Sequence, residues 1–264
     1  MKTRLAIPSL ALVLSLAACG APPSDENADT GVVFADEGKE DAVRRGRFET
    51  FTGADGQVYF HLLAGNGEKL LASEGYASQA GAERGIASVR DNGGDSARYA
   101  LLASKDGQFY LNLRAANGQV IASSELYATK ANAERAQATM LAVIPSATVA
   151  KATATGARFS VFRGLDGKYY FDLRAKNGEI VLRSQAYTRR ASALDGTASV
   201  LANGPEAAQY QVREAADGQF YFVLTAANHQ VIGVSELYVS TSNAERAVAA
   251  VVALLTTEPV AAAQ

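Results

Sequence analysis

Residues 106–127 read DGQFYLNLRAANGQVIASSELY, and the fold follows from how this stretch is read. Asp106-Gly107 and Asn117-Gly118 are hairpin turn signals, because glycine enters positive φ without steric cost. The alternating apolar run between them reads as a strand. The same stretch recurs at 55–76 (DGQVYFHLLAGNGEKLLASEGY), 166–187 (DGKYYFDLRAKNGEIVLRSQAY) and 217–238 (DGQFYFVLTAANHQVIGVSELY). Self-similarity repeated four times over so long a stretch makes each copy one supersecondary unit.

Register depends on the second turn. A two-residue loop at Asn117-Gly118 pairs Arg114 with Ile121, whereas a three-residue loop closing on a glycine bulge pairs Leu113 with Ile121. A one-residue slip flips every side chain, so the apolar pattern decides. The Leu113 position holds Leu62, Leu113, Leu173 and Leu224, and the Ile121 position holds Leu70, Ile121, Val181 and Ile232. Both are apolar in all copies, which selects the three-residue loop. His229 replaces the turn glycine in the fourth copy, and His is among the residues enriched at positive φ.

Each repeat is then three strands and a helix. In repeat 2 the strands are expected at about 98–103, 108–114 and 119–125, with the helix at about 130–142. Tyr99, Leu101, Phe109, Leu111, Leu113 and Ile121 form the face under the helix. Ser78, Thr129 and Ser240 stand as helix N-caps, and repeat 3 has Arg189 there instead. Ala82, Ile86 and Val89, and Ala244, Val248 and Val251, are the sheet-facing helix positions. The opposite sheet face carries the cross-strand rows Phe51-Tyr59-Ser73, Leu102-Tyr110-Ser124, Phe162-Tyr170-Ser184 and Arg213-Tyr221-Ser235.

Equivalent aromatics, Phe48, Tyr99, Phe159 and Tyr210, open the units at steps of 51, 60 and 51 residues. The long middle step groups the units in pairs, because one repeat buries too little to stand alone. The expected architecture is α+β, with two tandem domains. Each is a pair of β-β-β-α repeats forming one antiparallel sheet with helices on one face. Domain 1 spans 47–144 (repeats 47–96 and 98–144) and domain 2 spans 158–255 (repeats 158–204 and 209–255). Residues 145–157 form a linker and 256–264 a loose tail.

The N-terminus has a separate logic. Lys2 and Arg4 precede the apolar run Leu5–Leu16, which is too short to span a bilayer and matches a secretory h-region. Leu16-Ala17-Ala18-Cys19 resembles the lipobox of bacterial lipoproteins, so 1–19 is expected to be a signal peptide and Cys19 the acylated first residue of the mature chain. Cys19 is the single cysteine and has no disulfide partner. Gly20 stands where a retention signal carries Asp, which implies the outer membrane. Residues 20–46 are acidic and poor in large apolar residues, and are expected to be a disordered tether.

The runs NGQVIASSELYATKANAERA and NGEKLLASEGYASQAGAERGIASV resemble the YegP-like family of small uncharacterised bacterial repeat proteins. The resemblance covers all four repeats. It implies the α+β arrangement above and transfers no chemistry. Repeat 3 departs most, with Arg183, Gln185, Arg189 and Leu194-Asp195 at positions the others fill differently.

Catalytic groups are sparse. His61 and His229 fall at different repeat positions, and neither has a His or Cys at ligand spacing, so no metal is expected. Ser73, Ser124, Ser184 and Ser235 recur without a histidine, so no Ser–His hydrolase, and no enzyme, is expected. No cofactor is implied. With a formal net charge of −2, made two units more negative by loss of Lys2 and Arg4, the chain does not suit nucleic acid. The candidate contact residues are Tyr59, Tyr110, Tyr170 and Tyr221, with Arg114 and Arg174 flanking two rows. An aromatic patch of this kind is read either as a surface for an envelope protein or glycan, or as a face for self-association and packing.

Overall fold

The computed structural model describes residues 45–53, 55–152 and 156–261. Cys19, the residues expected as a leader and most of those expected as a tether lie outside them. Repeat 1 contributes β1 (Arg47–Thr52), β2 (Val58–Leu63), β3 (Lys69–Ala72) and α1 (Gln79–Gly93). Repeat 2 contributes β4 (Tyr99–Ala103), β5 (Phe109–Arg114), β6 (Val120–Ser123) and α2 (Lys130–Val143), followed by β7 (Thr148–Lys151). Repeat 3 contributes β8 (Arg158–Arg163), β9 (Tyr169–Arg174), β10 (Ile180–Arg183) and α3 (Arg190–Asn203). Repeat 4 contributes β11 (Tyr210–Glu214), β12 (Phe220–Thr225), β13 (Val231–Val234) and α4 (Thr241–Thr257). The described strands form two sheets, ordered β4-β5-β6-β3-β2-β1-β7 and β11-β12-β13-β10-β9-β8. All pairs are antiparallel except β1–β7. The chain is thus α+β, with two antiparallel-rich sheets and four α-helices among the described residues.

Local chemistry sets the elements. Glycine ends each second turn at positive φ (Gly67, Gly118, Gly178), and His229 takes φ 64° in repeat 4. Ala115 N–H donates to Gln119 O at 2.9 Å, which closes a three-residue loop. The register then departs from the expected one. Leu113 pairs with Ala122 and Arg114 with Val120, so Ile121 is an extra residue in a bulge. Ile121 still packs on the helix-side core, which satisfies the apolar demand at both positions. The bulge also moves the repeated serine. Ser124 lies opposite Leu111 and not in the Tyr110 row: its Oγ accepts the Leu111 N–H at 2.8 Å and donates to Glu125 O at 2.8 Å. Ser73, Ser184 and Ser235 repeat this pattern with Phe60, Phe171 and Phe222. Each serine side chain replaces the backbone where the ladder ends.

The helices cap as the residues dictate. Ser78, Thr129 and Ser240 accept from Gly81, Asn132 and Asn243 N–H, while Arg189 makes no side-chain cap bond. One core joins α1 and α2 to the first sheet through Phe48, Phe60, Leu62, Leu111, Leu113, Ile86, Val89 and Met140. A second joins α3 and α4 to the other sheet through Phe159, Phe171, Leu173, Phe222, Leu224, Val200 and Val251. Phe109 lies outside both clusters and is only half-buried.

A third cluster lies on the helix-free faces: Tyr110 of the first sheet against Tyr221, Val223 and Ala215 of the second, with Leu102, Leu126, Val231, Val234 and Leu237 around them. The sheets therefore pack face to face. The contacts are reciprocal. Asn66 Nδ2 donates to Arg163 O at 2.9 Å, and its repeat counterpart Asn177 donates to Thr52 O at 2.8 Å. Repeat 1 thus relates to repeat 3, and repeat 2 to repeat 4, by an approximate two-fold. The residues expected as linker and tail follow the same relation. Thr148 N–H bonds Gly46 O at 3.1 Å at the start of β7, and Ala261 N–H bonds Ala157 O at 2.9 Å. Thr148–Lys151 is therefore an edge strand, and the tail is held as far as Ala261.

Candidate functional site in the layer between the sheets

The layer between the sheets holds buried charge. Lys69, on β3, is 2% exposed, and its Nζ lies 2.8 Å from Glu125 Oε1 and 3.1 Å from Glu236 Oε2. His61, on β2, places Nε2 3.1 Å from the same Glu236 oxygen, while its Nδ1 is buried without a partner. Arg183, on β10, is held by Asp172 at 3.0 Å, lies 3.5 Å from Glu125 Oε2, donates to Lys69 O at 3.3 Å and sits over the Phe162 ring. A low-dielectric layer raises the cost of any charge left alone, so each group depends on its partner.

The protonation states follow. Burial alone would raise the Glu236 carboxyl, but the Lys69 ammonium and the His61 ring outweigh it and hold it at about 2. Burial works against the Lys69 charge, yet Glu125 and Glu236 raise it. His61 is pushed down, chiefly by burial and then by Lys69, so it stands neutral against Glu236. Burial pushes Glu68 up and Glu179 to about 7. This arrangement positions fixed charges and offers no activated nucleophile. The His61 ring faces a carboxylate, and the four serine hydroxyls donate to backbone carbonyls. Among the described residues no group of His, Cys, Asp and Glu has metal-binding geometry.

The expected contact residues divide. Tyr110 and Tyr221 are fully buried, which corrects the reading of an open aromatic row; the second sheet covers it. Asp217 N–H reaches across to Tyr110 Oη at 3.2 Å, and Asp217 Oδ2 accepts from Asn112 at 2.7 Å. Tyr221 Oη sits buried beside Asp106, which Arg213 holds at 2.8 Å. Tyr59 and Tyr170 stay half-exposed, and each donates to its own turn aspartate, Asp55 or Asp166, at 2.7 Å. Arg174 is buried against Glu49 at 3.0 Å, so it flanks no open row. Arg114 is exposed. These residues do not converge on one site.

Sequence reasoning missed Lys69, Glu125 and Glu236 as partners and set Arg183 aside as a departure. The signal was present in the repeats. Lys69 stands where the others have Val120, Ile180 and Val231, and Arg183 where they have Ala72, Ser123 and Val234. A charge at a strand position that is otherwise small or apolar marks a buried pair or a changed face.

Comparison with known proteins agrees with the repeat count. The family described as "Domain of unknown function (DUF1508)" matches residues 54–99, 104–150, 166–211 and 215–261. The UPF0339 protein YegP of Shigella flexneri is 48% identical over 104 residues, 39% of this chain and 94% of that protein. The UPF0339 protein PA0329 of Pseudomonas aeruginosa is 44% identical over 95 residues, 36% of this chain and 86% of that protein. The solution NMR structure of yegP from E. coli, described as a protein of unknown function, is 44% identical and covers 43% of this chain and 98% of that one, with a TM-score of 0.40.

Proposed function

We propose, on the premise that the chain belongs to the DUF1508 family of unknown function, that it is a non-catalytic envelope module anchored by lipid at Cys19. Its two YegP-like domains, each a pair of β-β-β-α repeats, act as one fused body with the helix-free faces turned inward. The observation that carries this reading is the complete burial of Tyr110 and Tyr221, the aromatics that would otherwise form an open docking face. Their burial favours packing over partner capture by the tyrosine rows. Helices and turns are then what the body presents outward, and the acidic segment 20–46 spaces it from the membrane. Each buried lipid methylene contributes about 0.8 kcal/mol, so several acyl chains hold such a body firmly.

Fractionation tests the anchor. Cys19→Ser should move the protein from the membrane to the soluble fraction and abolish the lipid-dependent mass shift. Unchanged fractionation would remove the anchoring claim and leave the face-to-face packing standing.

A further inference from the structure

Every second residue of a strand faces the same side. Arg47 therefore shares the helix-free face with Phe51 of β1, Arg158 with Phe162 of β8, and Arg174 with Tyr170 of β9. These guanidiniums gather around Glu49 at the rim of the layer between the sheets. Arg47 Nε lies 2.7 Å from Glu49 Oε1 and Arg174 Nη1 lies 3.0 Å from Glu49 Oε2, so both carboxylate oxygens are taken. Arg158 is the direct cross-strand partner of Arg174. Like charges directly opposite on neighbouring strands destabilise a sheet. Arg158 makes no ion pair among the described residues; its Nη1 donates to Gly156 O at 3.3 Å.

The approximate two-fold identifies the missing group. Arg158 is the repeat counterpart of Arg47, but the counterpart of Glu49 is Ser160, so Arg158 lacks the acid that Arg47 has two residues on. Arg174 sharpens the deficit. It is 7% exposed, and its Nη1 serves both Glu49 Oε2 and Gly178 O, each at 3.0 Å, while its Nε and Nη2 bond to no described residue. Three guanidiniums against one carboxylate leave a local surplus of two positive charges among the described residues. Burial would raise the Glu49 carboxyl, but Arg47 and Arg174 outweigh it and hold it below its ordinary value. Burial, and then the Arg174 charge, push the Arg158 guanidinium down, and Glu49 offsets this only in part. A partly buried charge without a partner is costly, and an anion at this rim would relieve both arginines.

We propose that this rim binds a phosphate monoester, held between Arg158 and Arg174 with Arg47 at its edge. A guanidinium presents parallel N–H donors that match phosphate oxygens. The surplus of two charges matches the dianion that a phosphate monoester becomes above its second pKa of about 6. A diester carries a single negative charge and fits the surplus less well. The site goes beyond the anchoring reading and stands without it.

The test is calorimetric titration of the full chain with glycerol 3-phosphate, at about pH 8 where the monoester is a dianion. Dimethyl phosphate serves as the monoanionic diester. Saturable one-to-one binding of the monoester at millimolar concentration or below is expected. Loss of a charge-assisted hydrogen bond should weaken binding by about tenfold or more, both for the diester and for the monoester in Arg158→Gln. Urea melts in phosphate-free buffer accompany the titration. There Arg158→Gln should be at least as stable as the natural chain, because the repulsion with Arg174 is gone. Glycerol 3-phosphate should raise the urea midpoint of the natural chain and leave that of the variant unmoved. No binding by the natural chain, equal binding of the diester, undiminished binding in Arg158→Gln, or a lower phosphate-free midpoint in that variant would each overturn the proposal.

Discussion

Tyr110 has no exposed surface, and its hydroxyl accepts a hydrogen bond from the other sheet, so its ring is a core group on the helix-free face. Tyr110→Ala should therefore cost about 3–5 kcal/mol, as truncation of a buried aromatic does. Phe109→Ala should cost less, because Phe109 is half-buried and outside the core clusters. Urea melts of both variants check the order, and a larger loss at Phe109 would contradict the packing. The sequence reading, with Phe109 under the helix and Tyr110 on an open face, implies the opposite order. The alternation placed Tyr110 correctly away from the helices, but one repeat carries no sign that a second sheet covers that face. The charges raise a second residue-scale expectation. The folded Glu236 carboxyl lies at about 2, below its ordinary 4.5, so its stabilisation is present above about 4.5 and lost as pH falls toward 2. Glu179 lies at about 7, above 4.5, so the fold binds its proton more tightly than the unfolded chain does. Stability from Glu179 therefore falls as pH rises from about 4.5 to about 7, and Glu68 adds in the same direction. Glu179→Gln should flatten that fall in urea midpoints measured across the window. Equal slopes in the variant and the natural chain would contradict this assignment.

At the scale of elements, the spacing of helix and sheet is set by small residues. A Cβ on Gly85 of α1 would land on the Tyr76 ring and hydroxyl, and one on Gly196 of α3 would meet Tyr187 in the same way. Gly85→Ala removes a flexible residue from a helix interior, which by propensity alone would stabilise it. Here the clash should win, with a net loss of about 1–3 kcal/mol from overpacking. Thermal melts of Gly85→Ala settle the sign, and a gain in stability would mean that the helix stands further from the sheet. Strands, helices and caps were legible because turns, alternation and N-cap residues are local signals, down to the missing cap at Arg189. The bulge at Ile121 was not legible. It keeps both Ile121 and Leu113 on the core, so the apolar pattern fits the bulged and the regular ladder equally well. The serines were misplaced for the same reason: one extra residue carries Ser124 from the Tyr110 row to Leu111.

For the whole molecule, the α+β class and the four repeats were legible in the self-similar stretches, but the packing of the two sheets was not. Packing of faces is non-local, and its trace was a few charges at strand positions that other repeats fill with small or apolar residues. The fused arrangement has a consequence for the isolated half. Residues 45–152 alone expose Tyr110, Phe51, His61 and Lys69, which the second sheet covers in the full chain. That fragment should self-associate through the bared face, with a sedimentation profile that depends on concentration. A monomer as stable as the full chain would show that the face does not need cover. The central claim is that the helix-free faces meet through buried charge, and the Lys69–Glu236 pair joins repeat 1 to repeat 4 at 3.1 Å. A double-mutant cycle with Lys69→Met and Glu236→Gln, read by urea unfolding, measures that contact directly. Lys69→Met alone should cost about 3–5 kcal/mol, because it leaves buried carboxylates unpaired. The coupling energy should be about 1.5 kcal/mol or more, as for close charge pairs across an interface. Additivity within about 0.5 kcal/mol, the behaviour of residues far apart, would contradict the account.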